Sequence, residues 1–319
     1  MAAIDIAIVG AGAAGAMAAR TARAAGASVR VFEAGPRVGG RLQNARMVAM
    51  CGGDLSFDHG GQFVTFRDPE FEALTGQALA DKALAPLGAT GQLKAGVWCP
   101  FETGPRFRGR PDMASFVAWL LRDVAVETAC PVAAVEPAGP GFAIVTGQDR
   151  VEARAVVLAV PPSALEGLGF DAPCVSFDPC WAVSVAFDQK IESQFAQFEI
   201  SGSALGWAAR QPAWRDGERF GRDRWVVQFS ADFSRTHAGK PAGWIEDQAL
   251  AAFAGALGDA VPAPAFSFVH LWREARVTQP LGAPFQPLAD GLVAAGDWCL
   301  GGRVEAALLS GRGAAHAVL

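Results

Sequence analysis

The chain has 319 residues, 51% of them hydrophobic and 18% charged, with a net charge of −5; that is enough apolar material for one large or two smaller cores. Its Arg residues are scattered without a polybasic run, and the six cysteines (Cys51, Cys99, Cys130, Cys174, Cys180, Cys299) form no C-x-x-C pair and no ligand spacing with the four histidines, so neither nucleic acid nor a metal is expected and the thiols read as reduced. Asp5 sits where a signal peptide wants basic residues, and no run reaches the ~20 apolar residues of a membrane span, so a cytoplasmic protein is expected.

Residues 4–9 are apolar and branched, the mark of a strand buried in a parallel sheet. Gly10-Ala11-Gly12-Ala13-Ala14-Gly15 follows, then an Ala-rich helical run over residues 16–25, a cap at Gly26 and a second strand over 28–32 that ends at Glu33. In this strand–turn–helix–strand order, Gly10 permits the tight turn, Gly12 lets the backbone approach a diphosphate, and Gly15 lets helix and strand pack closely. The amides at the helix start, around Ala13 and Ala14, face the phosphates. Glu33, with Ala34 beside it, stands where an acid accepts hydrogen bonds from the adenosine ribose, and its charge disfavours a 2′-phosphate.

The next run, Glu33-Ala34-Gly35-Pro36-Arg37-Val38-Gly39-Gly40-Arg41, resembles the E-A-x-x-R-x-G-G-R signature of flavin-dependent amine oxidases, desaturases and their relatives. The resemblance implies FAD. Two cations and two glycines beside the first turn are suited to wrapping the same diphosphate. Arg41 and Gly40 are the better candidates, because a guanidinium matches phosphate oxygens two at a time; Arg37 reads equally well as a solvated loop cation.

Further along, residues 56–65 form a loop-to-strand stretch that contains Gln62 and Phe63, residues 69–79 and 112–122 read as helices, and residues 96–101 as extended. Strands are predicted at 132–136, with Val132 placed to meet an adenine through its backbone, at 142–146 and at 151–160. From residue 180 the character changes. Strand-like runs at 180–187, 198–200, 205–210, 224–230 and 266–272, with one amphipathic helix over 244–257, predict a mostly antiparallel sheet backed by a helix. Near the end, a short strand at 292–295 leads through Gly296 and Asp297 to a Gly301-Gly302 turn, and Arg303 and Val304 open a helix that runs to 316.

The fold class is therefore α/β: a discontinuous Rossmann-type FAD-binding domain (residues 1–75, 105–165 and 285–319) and a smaller sheet-plus-helix substrate domain (76–104 and 166–284). Across nearly its whole length the chain is similar to bacterial renalase-like proteins of the flavin amine oxidase superfamily. The most specific segment is Gly296-Asp297-Trp298-Cys299-Leu300-Gly301-Gly302-Arg303-Val304-Glu305, supported by Asp58 to Thr65, Trp207-Ala208-Ala209-Arg210 and His270-Leu271-Trp272.

The resemblance implies non-covalent FAD, with Asp297 on the ribityl or diphosphate region and the C-terminal helix start at the flavin N1–C2 edge. It also implies oxidation of dihydro-NAD(P) isomers by hydride transfer to flavin N5, with O2 as acceptor giving hydrogen peroxide. No lysine occupies a recognisable counterpart of the lysine that amine oxidases often carry. Gln62, Trp207, Arg210, His270 and Trp298 are the candidates for the catalytic pocket wall. The chain has no Tyr; Phe63 stands where relatives commonly carry one, which puts substrate identity in question. Two rival readings stay open: an oxidase or desaturase of an amine or other small molecule, and an FAD-bound sensor or scaffold.

Overall fold

The computed structural model describes residues 4–48, 54–101, 104–147, 149–212 and 222–319; Cys51 lies outside them. The first strand, Ile4–Val9, is the centre of an eight-stranded sheet. It runs parallel to Val29–Phe32 on one side and to Arg150–Leu158 on the other, and Ala125–Glu127 continues the parallel part beyond Val29–Phe32. Alternate residues of these strands go to opposite cores. Ile6, Ile8, Val31, Ala155 and Val157 face the helices, whereas Ala7, Val9, Phe32, Val156 and Leu158 join a second cluster on the far face. Burial on both faces is why these strands read as continuous apolar runs.

Arg150–Leu158 is the junction of the molecule. Its first half pairs antiparallel with Gly141–Thr146, and its last three residues pair parallel with Leu292–Ala294. The C-terminal strand thus takes the edge that the middle hairpin leaves free. The helix after it, Val304–Val318, lies against the first helix, Ala13–Ala24. Small residues permit the contact: a Cβ on Gly311 would stand 2.0 Å from the Ala14 carbonyl oxygen.

The second sheet has seven strands in the order Phe266–Gln279, Ser176–Phe187, Asp223–Phe229, Leu205–Arg210, Gln197–Ser201, Gly91–Lys94 and Val97–Pro100. It is antiparallel apart from the contact between Gln197–Ser201 and Gly91–Lys94. Helix Ala242–Leu257 buries Ile245, Ala249 and Phe253 on one face, against Val183, Trp225 and Phe198. The strand at 266 runs seven residues past its expected end, and a short helix, Ala231–Thr236, was not foreseen. The described residues of the 76–104 segment divide between the two cores: Ala78, Ala83 and Leu84 pack with the first helix, while the hairpin from Gly91 to Pro100 joins the second sheet.

Candidate active site

A cavity of about 1010 Å³ lies between the two sheets, and both ends of the chain line it. This is at the upper end of the roughly 300–1,000 Å³ usual for small-molecule sites. Its floor begins at Gly10, whose φ of +98° lies in the left-handed region; a Cβ there would meet the Ala159 carbonyl oxygen at 2.5 Å. Gly15 sits beneath the cavity, its missing Cβ 1.9 Å from the Gly10 oxygen, so its role is close packing. Gly12, Ala13 and Ala14 face the space. Gly12 caps the helix with no side-chain hydrogen bond, which leaves first-turn amides for a ligand. Gly40 approaches from the second motif, where a Cβ would come within 3.3 Å of the Gly12 Cα.

The Glu33 carboxylate accepts one hydrogen bond at each oxygen, from the Ala11 and Gly35 amides, both at 2.8 Å. A carboxylate offers about four acceptor positions, so two remain for hydroxyl donors. Ala34 and Val132 line the same end. At the other end stand Gly296, Asp297, Gly302, Arg303 and Val304. Arg303 caps the C-terminal helix without a side-chain bond, so a second helix start is open to the cavity. Arg41 joins the halves: it forms an ion pair with Asp297 and donates to the Glu274 carbonyl at 3.0 Å.

The roof is the strand Phe266–Gln279, of which residues 270–275 line the cavity. His270 and Trp272 line the cavity, and His59 meets both, with ring centroids 5.2 and 5.0 Å away. Burial first, and then the His270 ring, push the His59 imidazole down to about 4; burial also lowers His270. Both are neutral at pH 7. His59 and Trp272 were not among the expected wall residues. Trp272 was legible as the residue two along from His270 on the same strand face, and His59 as the histidine preceding Gly60-Gly61.

Several expected residues lie elsewhere. Arg37 turns away and binds the Asn44 side chain and carbonyl at 2.9 and 3.0 Å. Arg210 is paired with Asp223 at 2.9 Å and stacks on Trp225 under the helix. Strand alternation forbids Trp207 and Arg210, three residues apart, from facing one way. Trp207, Gln62 and Phe63 are not part of the cavity wall. Trp207 packs on Phe63 at 5.4 Å, and Gln62 accepts from Gln211 at 3.4 Å. Trp298 lines the cavity but is wholly buried, with Nε1 donating to the Val160 carbonyl at 3.1 Å. A further unforeseen residue, the buried Glu305, accepts from the Arg67 and Asp68 amides and ties the C-terminal helix start to that loop.

A model of the NAD(P)-binding Rossmann-like domain matches residues 8–77, and one of the flavin containing amine oxidoreductase family matches residues 112–319, about two thirds of the chain. The chain belongs to the flavin containing amine oxidoreductase family. It is an FAD-dependent oxidoreductase. The fold is similar to that of a double mutant of putrescine oxidase, with a TM-score of 0.71 and 16% identity over 99% of this chain and 98% of that one. It is equally similar to cyclohexylamine oxidase from Brevibacterium oxydans IH-35A, with a TM-score of 0.72 and 15% identity over 99% of each chain. The amine oxidoreductase cavity fits its cofactor in kind: two uncapped helix starts for anionic groups, a carboxylate with spare acceptor capacity, and glycines where any side chain would intrude. Cys299 does not line it, and burial pushes that thiol up to about 11. No helix among the described residues is long and apolar enough to cross a membrane.

Proposed function

We propose that this oxidoreductase is renalase-like: it holds FAD non-covalently and oxidises dihydro-NAD(P) isomers, with O2 as final acceptor and hydrogen peroxide as product. FAD supplies the acceptor for a hydride. Gly10, Gly12, Ala13, Ala14 and Arg41 bind the diphosphate, Glu33 the ribose, and Val132 the adenine through its backbone. Asp297 and Gly302 to Val304 serve the flavin end. Neutral Cys299 offers no thiolate for covalent attachment, and a cytoplasmic location fits the free thiols.

The observation that carries the reading is the chemistry of the wall. The cavity has no lysine among its described lining residues, and all four lysines of the chain are exposed. Its carboxylates are engaged: Asp297 with Arg41, Glu33 with two amides, Glu274 with Ser163 at 2.8 Å. Loss of a hydride turns a dihydronicotinamide directly into an aromatic cation, with no proton to remove, so orientation and exclusion of water do most of the work. Neutral His59 and His270 set no like charge against the cation that forms.

Amine oxidation is the second reading, favoured by the family and by neighbours whose names specify amines. Anaerobic mixing separates them. The holoenzyme flavin should bleach rapidly with 2- or 6-dihydronicotinamide isomers and stay oxidised with putrescine or cyclohexylamine; the reverse result assigns it to amines.

A further inference from the structure

Pro179 interrupts the strand Ser176–Phe187 and has no amide hydrogen to give to a ladder. The register with the neighbouring strand Phe266–Gln279 breaks there. Cys180 pairs with Trp272 and Asp178 with Arg276, so Pro179 alone stands opposite the three residues 273–275. The surplus makes a bulge on a strand at the edge of its sheet, and all three of its residues line the cavity. Contacts on either side of Arg273 pin this segment. Trp272 Nε1 donates to the His59 carbonyl at 3.1 Å. The Glu274 carboxylate accepts from the Ser163 hydroxyl at 2.8 Å, and the Glu274 carbonyl accepts from Arg41 at 3.0 Å. Ser163 belongs to the helix Pro162–Gly167, which packs on the first sheet through Leu165 and lines the cavity through Ala164 and Gly167. The bulge of the second sheet is thus fastened to the nucleotide-binding part at two points.

Arg41, Arg273 and Arg303 are the arginines of the cavity lining. Arg41 is paired with Asp297, and Arg303 meets Glu305 at 3.4 Å. Arg273 is exposed and, among the described residues, has neither a hydrogen-bond nor an ion-pair partner. The carboxylate of its neighbour Glu274 is turned to Ser163 instead. Arg273 is therefore the cation of the described wall that no carboxylate offsets. A phosphate group would offset it, and a guanidinium offers a fork of donors that matches phosphate oxygens. The bulge sets this charge beside the residue whose carbonyl holds Arg41, the cation assigned above to the diphosphate. Asp297 already balances Arg41, so a second cation is needed to answer the charge of a diphosphate. We propose that Arg273 is a phosphate site, and that residues 273–275, latched to Ser163, form a clasp over the cofactor diphosphate. The inference does not depend on which substrate is oxidised.

The test is release of FAD from the holoenzyme, followed as the gain in flavin fluorescence on dilution. Arg273→Met should release FAD about tenfold faster, and Arg273→Lys at an intermediate rate, because the charge is kept and the fork is lost. Ser163→Ala, which only unlatches the clasp, should speed release severalfold. Added salt should accelerate release from the wild type more than from Arg273→Met. In the full-length chain stripped of flavin, Arg273→Met should weaken ADP about tenfold by calorimetry and leave adenosine unchanged. A general loosening of the fold would weaken both, and melting temperatures of the stripped chains check for it. Nicotinamide mononucleotide and nicotinamide riboside, which differ by a phosphate, separate the cofactor from the substrate as its source. Titrated into the holoenzyme, Arg273→Met should perturb its flavin spectrum with each of them as the wild type does. If the variant instead loses a preference for the mononucleotide while FAD release is unchanged, Arg273 serves a substrate phosphate and the clasp over the cofactor is overturned. Unchanged FAD release, ADP affinity and mononucleotide affinity in folded Arg273→Met would show a solvated surface cation and overturn the whole proposal.

Discussion

His59 shows how one residue's surroundings set a property of the whole site. Burial and the neighbouring His270 ring hold its imidazole near a pKa of about 4, whereas in an unfolded chain it titrates near 6.5. The unfolded state therefore takes up a proton that the folded state refuses. The stability at stake is fully present above about pH 6.5 and is lost as pH falls toward 4, with a ceiling of about 3 kcal/mol. Urea unfolding at pH 7, 5.5 and 4.5 should show the wild type losing more stability on acidification than His59→Asn. Parallel curves for the two would remove the claim. At the same scale, Arg210 illustrates the opposite case: a cation of promising sequence context that Asp223 and Trp225 take into the far side of the sheet.

At the scale of elements, the contact between the first and last helices decides whether their two open starts share one cavity. They pack without room for a side chain at Gly311, where a methyl group would meet the Ala14 carbonyl oxygen at 2.0 Å. Gly311→Ala must push the helices apart, and a cost of about 2 kcal/mol or more with loss of FAD is expected. Gly255 is the control. It lies in the exposed interior of Ala242–Leu257 with nothing within 4 Å of a new Cβ, so Gly255→Ala should stabilise by about 0.5–1 kcal/mol. Melting temperatures and the 450 nm flavin absorbance (roughly where oxidised flavins absorb) check both expectations. A tolerated Gly311→Ala would show that helix contact is not what holds the cradle.

At the scale of the molecule, cofactor binding and folding are coupled because the site is made of segments distant in the chain. Arg41 and Asp297 meet across the two ends, and Leu292–Ala294 completes the edge of Arg150–Leu158. FAD at about 100 times its Kd should therefore add about 2.7 kcal/mol to stability, read as a rise in melting temperature of apoprotein on titration. Asp297→Asn leaves Arg41 without its charge partner and should reduce that rise severalfold; an unchanged rise would show that the pair contributes nothing to cofactor binding.

The amino-acid sequence alone determined the order of elements in the nucleotide-binding part, the glycines of its first turn and the shared task of its two ends. These signals are local: an apolar run, a positive-φ glycine such as Gly10 and an Ala-rich helix each act within a few residues. It also indicated the antiparallel roof through its strand runs. Only the tertiary structure decided which side chains face the cavity. His59 and Trp272 enter it, Arg37 and Arg210 leave it, and Trp207 and Gln62 lie outside its wall. Which way a strand residue points depends on alternation, bulges and the partner strand across the sheet, and those pairings join residues far apart in the chain.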